Sequence, residues 1–351
     1  MFSMKKIVLL MSLLAYSTLG FSSFEEGIQA AKAGDFSAAV TFLTPLAEQG
    51  HIDAQYNLGA IFYSGSGGVK DVDAAIKWLT QAADNKHLQA SYTLGYIYNN
   101  GVGVSQDFDT AYKWFLQAAE GSFPPAQFSL ATMFVNGQGV TRSLSDAISW
   151  FTKAAEQGHV PAQYNLGVIY ASGIDVERDF DQALTRFSQA AEQGHVAAQY
   201  NLGNLYLNGQ GVPADPLTAK QWFNKAADQH HTEAQYAVGI LSYMGVAGRA
   251  DYATALKMFT AAAQDWNRDA QYRLGVLYYY GYGVKKDLVE AYRWLDLAAS
   301  SGHLDAHYLR AIIAKSLPKG EVKRAHAMAQ QWFDDNHQKP HKHYDLKPHS
   351  H

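Results

Sequence analysis

Apolar and small residues in this chain fall at helical spacings, and the helices they mark recur in pairs. In one stretch Ala198, Tyr200, Leu202 and Tyr206 share a face, and Gly209 and Gly211 then break the run. A second run carries Ala219, Trp222 and the pair Ala226-Ala227 on its own apolar face. The opening alanine returns 36 residues apart at Ala54, Ala90, Ala126, Ala162, Ala198, Ala234, Ala270 and Ala306, with no insertion between any two. A fixed period of this size predicts a repeat array in which each helical hairpin buries its face against the next. Nothing in the pattern reads as a strand.

Punctuation within each unit supports the hairpin. Gly65, Gly101, Gly137, Gly173, Gly209, Gly245 and Gly281 close the first helix (helix A), where a left-handed residue ends a helix. A second glycine and a valine usually follow, as in Gly103-Val104, and the valine is expected to plug the hairpin end. Asp71, Asp107, Asp179, Asp215, Asp251 and Asp287, with Ser143, are expected to N-cap the second helix (helix B), and Gln182 and Glu290 to complete capping boxes. Mid-helix glycines such as Gly59, Gly95 and Gly203 predict a close neighbour, and Ala131 keeps that position small. Trp78, Trp114, Trp150, Trp222 and Trp294 are the expected large knobs between the small residues of helix B, with Phe187 one position later in unit four and Met258-Phe259 in unit six.

The organisation predicted is a signal peptide over 1–20, a capping helical pair over 21–53, seven full units over 54–305, capping helices over 306–335 and a disordered His-rich tail over 336–351. Lys5 and Lys6 followed by a short apolar run and small residues carry the signal-peptide reading, with cleavage after Gly20 or Ser22. Export to the periplasm or beyond is the expectation, with no transmembrane segment in the mature chain. In the final unit the glycine loop gives way to a tighter turn over Leu317-Pro-Lys-Gly-Glu321.

Composition narrows the chemistry. The chain has 28 Lys and Arg against 32 Asp and Glu, a formal charge of −4, so it offers no field for a nucleic-acid backbone. It has no cysteine, which excludes disulfides, thiolate metal sites and cysteine nucleophiles.

The motif Ala-Gln-Tyr-Asn-Leu-Gly-x-x-Tyr-x-x-Gly-x-Gly-Val-x-x-Asp, followed by Ala-x-x-Trp and Ala-Ala-x-x-Gly-His, strongly resembles the Sel-one-like repeat, a 36-residue relative of the tetratricopeptide repeat. The resemblance covers 54–305 in register. It implies an all-α, αα-hairpin solenoid, a right-handed superhelix of seven repeats plus caps, with a concave surface lined by helix A that binds other proteins. In exported bacterial members it implies envelope assembly, signalling or host interaction.

With the apolar positions of helix A assigned to packing, the free face is the third, sixth and tenth residue after the opening alanine. The candidate groove residues are Asn57, Asn165, Asn201 and Arg273 at the third, Tyr96, Thr132 and Asn204 at the sixth, and Asn100, Asn136, Asn208 and Tyr280 at the tenth. Asparagine both donates and accepts, so a row of them suits an extended peptide backbone, and Tyr96, Tyr243, Tyr279 and Tyr280 suit side-chain pockets. The turn histidines His51, His87, His159, His195, His231 and His303 are expected to be polar plugs, since stacked helices sit too far apart for them to share a metal. In the tail His341, His343, His349 and His351 suit a divalent metal by composition, against the reading of an inert solvated tail. Ser316-Leu-Pro-Lys319 matches the Ser-x-x-Lys nucleophile motif, but Pro318 sits inside the turn that would bring lysine to serine.

An exported interaction scaffold with no cofactor and no enzymatic activity is the favoured reading. A β-lactam or cell-wall hydrolase and a metal carrier using the tail remain as alternatives. The altered units five to seven, with Val246-Ala-Gly-Arg-Ala250, Trp266-Asn-Arg268 and Tyr278 to Tyr280, are the expected place for a partner.

Overall fold

A computed structural model describes residues 23–337 apart from Val69 and Ala247. The predicted signal peptide and the tail histidines His341, His343, His349 and His351 lie outside the described residues. Among those described, every regular element is helical. The first pair is α1 (23–32) and α2 (Phe36–Glu48). The repeats are α3 (Ile52–Ser64) with α4 (Val72–Asp84), α5 (Leu88–Asn100) with α6 (Phe108–Glu120), and α7 (Pro124–Asn136) with α8 (Leu144–Glu156). They continue as α9 (Val160–Ser172) with α10 (Phe180–Glu192), and α11 (Val196–Asn208) with α12 (Pro216–Ala227). The last two are α13 (Thr232–Met244) with α14 (Tyr252–Gln264), and α15 (Arg268–Tyr280) with α16 (Leu288–Ser300). The final pair is α17 (Leu304–Ser316) and α18 (Lys319–Asn336). Two compact units divide at Ala162 and Gln163, inside α9. No helix among the described residues is long and apolar enough to cross a membrane.

Within a hairpin, the small residue of helix A and a large residue of helix B are made for each other. A Cβ added at Gly203 would lie 2.6 Å from the Phe223 ring, and one at Gly95 2.5 Å from Phe115. The same pairing joins Gly59 to Leu79, Gly167 to Phe187, Gly239 to Phe259 and Gly275 to Leu295. The close approach expected at these glycines is therefore met by one side chain of the same hairpin. That side chain corrects the reading of the tryptophans as knobs. Phe115, Phe151, Phe187, Phe223 and Phe259 are buried to 2 % or less, whereas Trp114, Trp150 and Trp222, each one residue earlier, are only half-buried. From Ala111, the helical stripe runs to Phe115, Ala118 and Ala119, four, seven and eight residues on, which leaves the tryptophan at its border. There it seals one hairpin to the one before: Trp114 packs on the cluster of Ala82, Ala90 and Leu94, and Trp294 on that of Phe259, Ala262 and Leu274.

The caps fall where expected, with one correction. Asp71, Asp107, Asp179, Asp215, Asp251 and Asp287, and Ser143, each accept a backbone N–H from the first turn of helix B. Gln182 and Glu290 do not complete capping boxes. The N–H such a box would satisfy is already donated across the hairpin, from Asp179 to the Tyr170 carbonyl and from Asp287 to the Tyr278 carbonyl, both at 3.0 Å. All seven cap residues make this bond, so it ties the start of helix B to the end of helix A. Glu290 turns instead to Arg293, 3.4 Å away.

At the C-terminal end the expected five-residue turn is shorter. Pro318 is the N-cap of α18, and Lys319, Gly320 and Glu321 are already helical. Ser316 and Lys319 thus belong to different helices. Asp296 of α16, 3 % exposed, holds Arg310 of α17 through one carboxylate oxygen and His326 of α18 through the other at 2.7 Å.

Candidate partner-binding surface

Each helix A spends most of its residues on its neighbours. The third residue after its N-cap begins a packed run: in repeat five Ala198, Gln199, Leu202, Gly203 and Leu205 are all buried. The buried glutamine is a structural position that the sequence reading left unassigned. Gln127 and Gln199 each donate to the carbonyl of the second alanine in the preceding Ala-Ala pair, at 3.1 Å, and Gln55 donates to the matching Ala47 carbonyl at 3.0 Å. Its amide oxygen in turn receives an N–H from a glutamine 30 residues later: Gln157 to Gln127 and Gln193 to Gln163 at 2.8 Å, Gln229 to Gln199 at 2.9 Å. The legible signal was a glutamine recurring on the apolar side beside an alanine that never varies.

The turn histidines are more than plugs. His51, His87, His159, His195, His231 and His303 each accept, through Nδ1, the backbone N–H three residues on, which makes them N-caps of helix A. Each ring also lies against an aromatic of the hairpin before: His87 on Tyr56 at 4.4 Å, His231 on Tyr200 at 4.7 Å, His303 on Tyr272 at 4.3 Å. Burial pushes the His87, His159 and His231 imidazoles below the ordinary range. A neutral ring is what Nδ1 acceptance requires.

The predicted groove residues divide into those held by the fold and those left free. Asn57 and Asn100 donate to carbonyls of their own helices, those of Asp53 and Tyr96. Asn136 donates to Gln138 at 3.3 Å. Tyr96 is half-buried beside Phe115 and Met133, and Asn165 is half-buried. Asn201 is hydrogen-bonded to the Tyr164 hydroxyl of the preceding repeat, which leaves it a role in packing. Asn201 and Asn204 nevertheless meet at one open cleft of about 410 Å³ with Val168, Arg178 and Phe180. Asn208 and Tyr280 are exposed.

Repeats six and seven gather the largest set. Tyr252 stacks on Tyr282 at 4.8 Å, and Tyr282 on Tyr280 at 5.3 Å. Tyr243 meets Tyr252 edge-on at 5.4 Å, and Tyr279 meets Tyr280 in the same way at 4.8 Å. The Arg273 guanidinium lies 6.0 Å from the Tyr243 ring centre and 5.6 Å from that of Tyr272. Lys286 sits 5.4 Å over Tyr279. Among the described residues the buried Arg273 Nε has no hydrogen-bond partner. Burial raises the Tyr243 hydroxyl above its usual range, and the neighbouring Tyr252 and Tyr282 raise it further. Tyr280 is 56 % exposed, and Met244, at the same position one repeat earlier, is 69 % exposed. Tyr252 and Tyr282 escaped the sequence reading because they stand outside helix A, at the start of α14 and in the loop after α15. Folding brings them to Tyr280. No cluster of metal-ligating side chains is found among the described residues.

Comparison with known proteins places this architecture. The chain is similar to the solved Sel1 repeat protein from Oxalobacter formigenes, at 28 % identity and a TM-score of 0.63, over 90 % of this chain and 93 % of that one. It is also similar to c5321, a protective antigen present in uropathogenic Escherichia coli strains, at 26 % identity and a TM-score of 0.58, over 92 % of this chain and 78 % of that one. No curated protein matches it. The Sel1 repeat model matches at residues 52–87, 88–123, 124–159, 160–195, 196–231, 232–265 and 268–303, the same seven hairpins. Such proteins generally serve as scaffolds for protein–protein interaction, and this chain belongs to the Sel1 repeat family.

Proposed function

We propose that this protein is an exported, non-catalytic scaffold that holds a protein partner on the helix A side of repeats six and seven. The observation that carries the reading is Arg273, a half-buried guanidinium set between tyrosine rings, beside the exposed ring of Tyr280. Beside it Tyr280 and Met244 expose large apolar area. Tyrosine and arginine are enriched among the side chains that dominate binding energy at protein interfaces, tyrosine because it offers wide contact area with few rotamers to freeze and arginine because its planar guanidinium both stacks and donates hydrogen bonds. The lysine-headed signal sequence and the likeness to a bacterial protective antigen favour export, to the periplasm or further out. The asparagines at Asn204 and Asn208 extend the surface toward repeat five.

Site-specific photo-crosslinking in the native cell tests this. Probes at Tyr280 and Met244 are expected to capture one defined protein, and probes at Lys77 and Lys113 on helix B to capture none. Arg273→Ala is expected to remove the adduct while the far-ultraviolet circular dichroism stays unchanged. Defined adducts from the helix B positions alone would overturn the reading. Cell fractionation with N-terminal sequencing tests export, and a mature chain beginning after Gly20 or Ser22 is the expected result.

A further inference from the structure

The last helix A is bare on the side where earlier ones meet the next hairpin. On α17, Leu304, Tyr308 and Ile312 stand four residues apart on one face and are 76 %, 70 % and 53 % exposed. They continue columns that have cover in earlier repeats. Tyr200 and Tyr272, in the column of Tyr308, stack on His231 and His303 of the hairpin that follows. Leu88, in the column of Leu304, fits against Gly121 at the end of α6, where an added Cβ would lie 2.3 Å from it. Val276, in the column of Ile312, is 7 % exposed.

Beyond α17 the pattern changes. Both α17 and α18 pack along α16, whereas α15 and α16 pack along each other. Ala311 keeps the small residue of the column of Gly239 and Gly275, yet it too is exposed. Large apolar side chains exposed singly are ordinary, but three in one row on one helix mark an interaction surface.

The stripe is matched to itself. Leu304 and Ile312 lie one helical turn to either side of Tyr308. An antiparallel second α17, related by a two-fold axis at Tyr308, therefore sets Leu304 of each copy on Ile312 of the other. The same pairing brings Lys315 of each copy toward Asp305 of the other, and both are exposed. Head-to-tail stacking would instead offer the stripe α1, which exposes Glu25, Glu26, Gln29 and Lys32. Two such stripes bury on the order of 1,000 Å², the lower bound for a specific interface, so pairing in the micromolar range is expected.

We propose that α17 is the face through which two copies of this chain pair about a two-fold axis. The pairing uses residues outside the tyrosine surface and stands whether or not that surface holds a partner.

Sedimentation velocity of the full chain, from about 1 to about 200 µM, tests the pairing, and a monomer–dimer equilibrium is the expected result. Tyr308→Glu sets two carboxylates against each other on the axis and is expected to weaken the dimer at least about tenfold, with unchanged circular dichroism. Tyr308→Phe is expected to pair as the native chain does. Because the chain has no cysteine, thiols report the geometry without background. A mixture of Leu304→Cys and Ile312→Cys copies is expected to oxidise mainly to the mixed disulfide, and Lys113→Cys copies to form none. A chain ending at His337 is expected to pair like the full one. Pairing that appears only on that truncation would show that residues 338–351 cover the stripe, and would overturn the proposal. So would a monomer at every concentration, a series of larger species, a dimer indifferent to Tyr308→Glu, or disulfides mainly between like copies.

Discussion

At the scale of single residues, the glycines of helix A act through what they admit. In an isolated helix, glycine to alanine gains up to about 1 kcal/mol. At Gly203 the added methyl would sit 2.6 Å from Phe223, a ring buried on every side in a close-packed hairpin. Gly203→Ala is therefore expected to destabilise by about 1–3 kcal/mol, measured by denaturant unfolding. Gly320 is the matched control: a Cβ there meets nothing within 4 Å. Gly320→Ala is expected to stabilise by about 0.4–1 kcal/mol by restricting the unfolded chain. Equal effects at the two positions would show that backbone entropy, and not the phenylalanine, sets the need for glycine. The motif made the need for a small residue legible. It did not say which side chain imposed it, because a tryptophan and a phenylalanine stand side by side and only packing separates the hairpin's knob from the seal between hairpins.

At the scale of the helix, capping by histidine couples stability to pH. Burial depresses the imidazoles of His87, His159 and His231 in the folded state below the unfolded value of about 6.5. The unfolded chain then binds more protons than the folded one, so stability rises with pH through this window. It is fully present above about 6.5 and is lost as pH falls from there toward the folded values. Asn267 shows the alternative: it caps α15 through its side-chain oxygen at 2.8 Å and has no proton to gain. Replacing His87, His159 and His231 together by asparagine is expected to flatten the rise in thermal midpoint between about pH 5 and about pH 7. An unchanged slope would assign the dependence to other groups. The sequence marked these histidines as turn residues, but the cap depends on Nδ1 meeting an N–H, which a one-dimensional pattern does not display.

At the scale of the whole molecule, stability in a repeat array is a sum of hairpins and the contacts between neighbours. Helix α18 closes repeat seven: Ala329 and Trp332 join the cluster of Phe259, Leu274 and Trp294, and Ala325 joins that of Ala291 and Leu295. Ending the chain at Ser316 is expected to strip hydrogen-exchange protection from α15 and α16, with repeats one and two unaffected. Loss of protection throughout would show that the array unfolds as one body, and unchanged protection in α16 would remove α18 from the role of cap.

By itself the sequence determined the class of fold, the period, the helix ends and the family, because each depends on local geometry repeated seven times. A helix stops at a left-handed glycine and starts at an aspartate cap whatever lies around it. Tertiary structure alone decided which exposed polar and aromatic residues are left free of their own chain. Asn57 and Asn100 look as free in the sequence as Asn208, yet their amides are taken by carbonyls of their own helices. Tyr252 and Tyr282 belong to different repeats and neither lies on helix A, so only folding unites them with Tyr280. Each of these is settled by which long-range neighbour takes a donor, an acceptor or a ring face, and the neighbours are set by packing.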